Sequence, residues 1–384
     1  MKRRLDLGEL QFYWRMADVP AGRDSDVPAF LPFAFSFDPA LGLVIQERNP
    51  QVLDWLRRIY EKEANVGYLQ DGHALAKVYG DAFLDFLERA TAARESRPRS
   101  VADIGCGGVY LLRALQGRGL DVCGVDPSPV TRLAAERAGV PILAQFYPLA
   151  GGRLGRDLII HYDVLEHTAD PVSFLQRHRG DLNPGGCIVF AVPDCTEHIA
   201  SGDISMALHE HLNYFDEVSL ERTVRAAGFR PLRIERASYG GVLYCAAEPD
   251  GEGARSSEVG WAPFERFRAN AERTIKSFAA LARKERALGV YVPLRGLPYL
   301  STIGLHDGVR FFDDDPGLHG RYFDGFPSPV ENFEDFVRRP TDVVLVASLA
   351  FGDKIAARIR ERVGDRSEIV VWRDFCGLRA GAVR

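Results

Sequence analysis

The stretch SVADIGCGGVYLLRAL, residues 100–115, constrains this chain more than any other. An apolar strand pattern carrying Asp103 runs into Gly105, Gly107 and Gly108, and a helical pattern follows at once. Glycines at such a turn let a ligand approach the main chain closely, and the bare N–H groups at a helix start attract polar groups. A chain built around this turn folds as an open α/β sheet that binds its ligand beyond the carboxyl ends of the strands.

The alternation continues over residues 100–250. Apolar runs (SVADIG, DVCGVD, VPILA, DLIIHY, GCIVFAVP, PLRIERAS, GVLYCAAE) lie between amphipathic segments such as PVTRLAAERAG, PVSFLQRHRGDL and SLERTVRAAGF. Strand, helix, strand in this order predicts a parallel sheet with helices on both faces. The last two runs are separated only by a turn at YGG, which predicts an antiparallel pair closing one edge. Upstream, Pro20, Pro28, Pro32, Pro39 and Pro50 break the chain into short strands and turns, and Val52 to Ala93 reads as helical. Downstream, a polar linker and one long helix lead to a second alternating set: GVYVPL, VRFFDD, DVVLVAS and EIVVW. The expected fold class is α/β: a Rossmann-like core with a helical N-terminal cap and a smaller C-terminal α/β domain. The expected boundaries are 1–95 for the cap, 96–250 for the core, 251–288 for the linker and long helix, and 289–384 for the last domain.

Composition narrows the class of partner. The 384 residues carry 48 Lys and Arg against 53 Asp and Glu, a net charge of −5, which argues against a general nucleic-acid or anionic-membrane binder. No apolar run reaches the ~18 residues of a membrane-spanning helix, and MKRRLDLGEL leads into no signal-like apolar stretch. The six cysteines form no C-x-x-C pair and are expected to be reduced and mostly buried. The expectation is a cytoplasmic protein with no membrane and no nucleic-acid partner; its oligomeric state is not readable.

Two cofactor templates compete for the glycine turn. A dinucleotide fold wants G-x-G-x-x-G. Counted from Gly105, its last position is Tyr110, so that template fails where helix and sheet must pack tightly, and an oxidoreductase is disfavoured. The other template is D-x-G-x-G followed by a carboxylate at the end of the next strand. Asp126 stands there, 21 residues after Gly105, where a carboxylate accepts both hydroxyls of a ribose. Alone, Asp103 or Asp126 would read as an ordinary strand-end or capping residue; their joint spacing favours a cofactor.

This second pattern resembles motif I of class I S-adenosylmethionine-dependent methyltransferases. The resemblance implies S-adenosylmethionine as cofactor, with Asp103 near its methionine amino end and Gly105 and Gly107 in the loop. The family's third glycine is Val109 here, with Gly108 expected to supply the flexibility. The segment RDLIIHYDVLEHTADPVSFLQRHRGDLNPGGCIVFAVPD resembles the family's fourth strand, V-L-E-H, helix and L-x-P-G-G. His161 and Tyr162, at that strand's carboxyl end, are expected neighbours of the cofactor.

The acceptor side is read from MALHEHLNYFDEVSLERTVRAAGF. His209, Glu210, His211 and Tyr214 cluster there. H-E-H alone is a partial ligand set without a Cys to complete it, so no metal is assigned; a polar turn before a helix is the plainer reading. In context, H-E-H-L-x-Y-F, the helix to A-G-F and Gly240–Gly241 resemble the sugar C-methyltransferases that act on nucleotide-linked keto-deoxysugars. YVPLRG and FFDDDPGLHGRYFDGFPSPV resemble segments of that family's C-terminal domain, so the resemblance covers roughly residues 100–384. It departs in two places. The four-Cys zinc site of the family's N-terminal domain is missing, and a glycine-rich turn has become Val292–Gly296, where Arg295 alone replaces a family lysine charge.

Carbon methylation needs a base beside the carbonyl, and His suits that task. The resemblance implies His211 as base with Glu210 beside it, and His167 and Tyr68 as further catalytic residues. His209, Tyr214 and Arg295 become substrate-binding candidates. The leading expectation is methylation of a sugar or sugar-derived small molecule, with carbon methylation of a nucleotide-linked keto-sugar as its sharpest form. The alternatives are O- or N-methylation of another small metabolite, and a non-catalytic cofactor- or nucleotide-binding protein.

Overall fold

The computed structural model describes residues 3–12, 16–19, 27–62, 74–92, 94, 97–251, 257–282, 286–349 and 351–377. In chain order, β1 (Leu5–Gln11) and β2 (Phe30–Asp38) are followed by β3 (Leu43–Gln46), α1 (Pro50–Lys62) and α2 (Ala74–Ala92). Next come β4 (Ser100–Ile104), α3 (Tyr110–Gly117), β5 (Asp121–Val125), α4 (Pro129–Ala138), β6 (Ile142–Leu143) and β7 (Arg156–Tyr162). Then follow α5 (Pro171–Asp181), β8 (Leu182–Pro193), α6 (Thr196–Ser201), β9 (Asn213–Tyr214), α7 (Glu217–Ala226), β10 (Phe229–Arg236) and β11 (Val242–Pro249). The chain continues through α8 (Ala262–Leu281), β12 (Leu288–Tyr291), α9 (Leu297–Thr302), β13 (Val309–Phe312) and β14 (Val330–Glu331). Last are α10 (Phe333–Arg338), β15 (Val343–Val346), α11 (Gly352–Val363), β16 (Glu368–Val371) and α12 (Trp372–Phe375).

These elements form two compact units. One gathers Phe37–Thr196 and Glu210–Gly260. Its seven-stranded sheet runs β10-β11-β8-β7-β4-β5-β6. The strands from β8 to β6 are parallel, and β11 is antiparallel to both β8 and β10. The edge pair expected at YGG is therefore present, and the fold is the expected α/β, Rossmann-like class. The order reverses at β4, so the carboxyl ends of β4 and β7 flank the switch point where such sheets bind ligands. Local chemistry fixes the helix starts. Ser128 caps α4 ahead of Pro129, Asp170 caps α5 ahead of Pro171, and Asp216 with Ser219 forms a capping box on α7; each cap contributes about 1 kcal/mol.

The helical stretch expected in an N-terminal cap divides. Phe83, Leu84, Phe86 and Leu87 of α2 join Val101, Leu112, Ile160 and Tyr244 in one buried cluster. The apolar face of α2 thus covers the sheet and belongs to its core.

The other unit gathers Met1–Ser36, Glu197–His209 and Trp261–Arg384. It holds an all-parallel sheet of order β14-β13-β12-β15-β16, as expected for a second α/β domain. The antiparallel β1–β2 ladder also belongs here. Phe35 of β2 packs edge-on to Phe267 of α8, ring centres 5.2 Å apart. Fully buried Asp203 ties the unit together: it accepts from Trp372 Nε1 (2.8 Å), the Tyr299 hydroxyl (3.1 Å) and both N and Oγ of Ser205. Among the described residues no helix is long and apolar enough to cross a membrane.

Candidate active site

The glycine turn lies at the end of β4. Gly105 and Gly107 have φ of +69° and +53°, and Gly105 N–H donates to the Val125 carbonyl at 2.7 Å. Position 109 also keeps positive φ, +59°, although it is a buried valine. The flexibility expected from Gly108 is not used: Gly108 stays at ordinary φ, and Val109 carries the left-handed conformation, at a cost of ~1–2 kcal/mol. Burial of the Val109 side chain in the α2–α3 layer offsets that strain.

Asp126 closes the turn from the next strand. Its Oδ2 accepts from Gly107 N (3.2 Å) and its Oδ1 from Ser128 N (2.8 Å). Burial raises the Asp126 carboxyl, and these backbone N–H donors partly oppose the rise. Asp103 is buried and raised well above the usual carboxylate range, first by burial and then by repulsion from Asp126. Two neighbouring buried carboxyls beside backbone at positive φ fit a ligand that brings an ammonium and hydroxyl groups. S-Adenosylmethionine is such a ligand, and Asp103, Gly105, Gly107 and Asp126 are the residues that would hold it.

A second turn abuts the first. A Cβ on Gly105 would lie 2.7 Å from Val164 Cγ2. Val164 opens the turn Val164–His167, which follows directly on β7. Asp163 has φ of +54°, a strained conformation for a non-glycine residue and one that clusters at functional sites. Asp163 lies at the surface of this turn, and the protein packed around its carboxyl raises it to about 7.

Segment 210–213 is laced onto this turn. Leu212 N–H donates to the Glu166 carbonyl at 2.7 Å, and Asn213 Nδ2 donates to the carbonyls of Leu165 (3.2 Å) and Thr168 (2.7 Å). Arg48 reinforces it, donating to the Leu212 carbonyl (2.6 Å) and to Asn213 Oδ1 (2.8 Å). His167 Nδ1 lies 2.9 Å from the Glu210 carbonyl. A carbonyl only accepts, so Nδ1 carries the proton and Nε2 presents its lone pair. The His167 and His211 rings meet edge to face, centres 5.1 Å apart. Burial lowers both imidazoles, His167 to about 4 and His211, with added repulsion from His167, to about 3. Both are neutral at neutral pH.

Glu166 was not singled out from the sequence, although it stands inside V-L-E-H. It is 1% exposed. Its Oε1 lies 3.6 Å from His167 Nε2, and among the described residues neither of its oxygens has a hydrogen-bond partner. Burial raises its carboxyl, with Asp163 next in effect. One ligand atom each from Glu166, His167 and His211 lies within 4.8 Å of the others. Asp163 was also missed; its signal was a carboxylate at the end of the fourth strand.

Other expectations are redistributed. His161 is packed among aromatic rings. It is fully buried, stacked on Phe190 (4.5 Å) and edge-on to Phe174 and His178, because its position in β7 points it into the layer beneath α5. Tyr162, on the opposite face, shares a hydroxyl chain with Tyr239 (2.7 Å) and, through it, Tyr244 (2.9 Å). His209 belongs to the other unit and is a core histidine. It sits edge-on to Phe12 and Phe33, both at 5.3 Å, with Nε2 3.0 Å from the Leu31 carbonyl. Tyr214 is fully buried in β9, paired with Val44, and not on an open acceptor surface. Arg295 also lies in the other unit, held by His198 Nε2 (3.0 Å) and Ser205 Oγ (3.4 Å). Tyr68 lies outside the described residues. The H-E-H run thus splits: His209 leaves, and His211 joins Glu166 and His167.

Residues 73–234 match a family model described as a methyltransferase domain. A ubiquinone biosynthesis O-methyltransferase of Cereibacter sphaeroides is 36% identical over 124 residues, 28% of this chain and 49% of that protein. Another, from a Methylobacterium species, is 28% identical over 181 residues, 42% of this chain and 70% of that protein. The chain spans about half the length of most of the curated relatives it matches. A solved Burkholderia thailandensis 1,6-didemethyltoxoflavin-N1-methyltransferase, with 1,6-didemethyltoxoflavin and S-adenosylhomocysteine bound, is 20% identical over 57% of this chain and 96% of that one, with a TM-score of 0.39. Residues 73–234 are thus similar to a methyltransferase domain, a domain type that uses S-adenosylmethionine.

Proposed function

We propose that this chain methylates an oxygen of a small hydroxylated molecule, with S-adenosylmethionine as methyl donor. The observation that carries the reading is the pair of laced turns. His167, on the turn whose Val164 abuts Gly105, meets His211 of the laced segment edge to face, both neutral. When bound, S-adenosylmethionine supplies an electrophilic methyl group on a sulfonium. Asp103 and Asp126 hold its donor groups, and the Gly105–Gly107 turn leaves room for it. The laced turns hold the acceptor in line, which is the larger part of catalysis for such a displacement. A neutral His211 takes the hydroxyl proton, while the carbonyl of Glu210 keeps His167 in the tautomer whose Nε2 accepts. The curated relatives are named as O-methyltransferases, which favours oxygen over carbon.

A second reading, carbon methylation of a nucleotide-linked keto-sugar, is favoured by the same His167–His211 pairing. There His211 would remove a proton beside the carbonyl. One experiment tests both. The purified chain is incubated with methyl-labelled S-adenosylmethionine and panels of hydroxylated and keto acceptors, and the product is mapped. Label on oxygen supports the first reading. Label on carbon, with deuterium exchange of the α-proton, supports the second. His211→Ala should lower turnover ~10²–10⁴-fold in either case and leave cofactor affinity unchanged. Turnover equal to wild type would remove His211 from the chemistry.

A further inference from the structure

Glu166 poses an electrostatic problem that its protein surroundings do not solve. The side chain is 1% exposed, and among the described residues neither carboxylate oxygen has a hydrogen-bond donor. A buried carboxylate without a partner costs several kcal/mol. The group that faces it makes matters worse. His167 gives its Nδ1 proton to the Glu210 carbonyl, so Nε2 turns a lone pair toward Glu166 Oε1 at 3.6 Å. With Glu166 ionised, two lone pairs confront one another; a proton on the carboxyl relieves the conflict, and so does a metal cation between the two atoms. The His167 Nδ1–carbonyl bond is also the arrangement that metal-binding histidines use to fix their tautomer.

We propose that Glu166, His167 and His211 bind a divalent transition-metal ion of the zinc or iron(II) class. One ligand atom from each already lies within 4.8 Å of the others. Two imidazoles and one carboxylate are a ligand set used by catalytic zinc and by non-haem iron(II), and three protein ligands leave positions open for an outside oxygen. Asp163 and Glu210 are close enough to repel Glu166, so the surroundings are electronegative and favour a cation. An acceptor oxygen in one of the open positions would have the pKa of its hydroxyl or enol lowered by the ion. That role rests on the proposed function; binding of the ion does not. In this case His211 is a ligand, and the metal replaces it as the means of activating the acceptor oxygen.

The test uses the full chain stripped with a chelator and titrated with cobalt(II), then with competing zinc(II). The expected result is one ion per chain, visible ligand-field absorption, and at least about tenfold weaker binding in both Glu166→Gln and His211→Gln. His211→Gln serves if Glu166→Gln fails to fold. Calorimetry of S-adenosylmethionine on the metal-free chain keeps the two proposals apart. Cofactor binding and methyl transfer without cobalt binding would overturn the metal site and leave the function standing. Cobalt binding without cofactor binding would do the reverse. Wild-type affinity in both variants would show an adventitious ion and overturn the site.

Discussion

Replacing Gly105 with alanine tests whether the two turns form one mechanical device. An alanine at φ +69° pays ~1–2 kcal/mol for the left-handed conformation. Its Cβ would also lie 2.7 Å from Val164 Cγ2, closer than real side chains tolerate. Overpacking of this kind costs ~1–3 kcal/mol. The expected total is therefore about 2–5 kcal/mol, and it divides into a backbone part and a contact part. Val164→Ala removes the obstructing methyl groups, so in the Gly105→Ala background it should restore the contact part and leave the backbone part. The pair should thus show a coupling of about 1–3 kcal/mol. Hydrogen exchange at the amides of β4 and α3 is the suitable assay, because two compact units need not unfold together. Calorimetry of S-adenosylmethionine on the same three variants then reads the effect on binding. The reasoning fails if Gly105→Ala exchanges like the wild type. It also fails if the double variant is no better than the sum of the singles, since Val164 would then not be what crowds the turn.

Three further outcomes follow from the same geometry. Asp126→Ala should weaken S-adenosylmethionine by ~1.5–3 kcal/mol, the cost of losing a hydrogen bond to a charged group; calorimetry showing wild-type affinity in a folded variant would exclude Asp126 from the site. His209 is lowered to about 4 by burial, so the unfolded chain takes up the proton first as pH falls. The stability it contributes is complete above about 6.5 and lost on acidification toward 4, about 3 kcal/mol in all. His209→Phe should flatten the pH dependence of exchange at the β1–β2 amides over that window; an unchanged slope refutes the assignment. Asp203→Ala strands the Trp372, Tyr299 and Ser205 donors, each worth ~1–3 kcal/mol when buried unpaired. Its unit should lose amide protection while the seven-stranded sheet keeps its own, which native-state exchange reads directly.

What could be read from the sequence was whatever is local. The glycine turn, Asp126 after the next strand, the V-L-E-H turn and the closing antiparallel pair depend on short-range periodicity and spacing, and all stand where they were expected. What could not be read depends on packing partners far along the chain. His209 and His211 are two residues apart, yet one is enclosed by Phe12 and Phe33 while the other meets His167; no local pattern distinguishes them. His161 and Tyr162 are adjacent, and strand alternation sends them to opposite faces. Only the face of Tyr162 is shared with α2, so the registry of a helix seventy residues upstream decided which of the two had a polar network. Glu166 was not legible because the absence of donors around its carboxylate depends on the folded surroundings, and Asp163 because its positive φ is a property of the turn and not of its residue type.

The interleaving of the two units has a consequence for how the chain is made. The β1–β2 ladder leaves the ribosome well before α8, whose Phe267 packs on Phe35, and before the parallel sheet of the same unit, both of which lie beyond residue 260. The methyltransferase unit, by contrast, is finished once residue 260 has emerged. At ~5–20 residues per second, the first strands wait on the order of ten seconds or more for their partners. During that interval Phe35 lacks Phe267, the ring that packs edge-on to it in the folded unit. A fragment that ends near residue 260 therefore keeps the seven-stranded sheet but leaves Phe35 without Phe267 and the β1–β2 ladder without the rest of its unit.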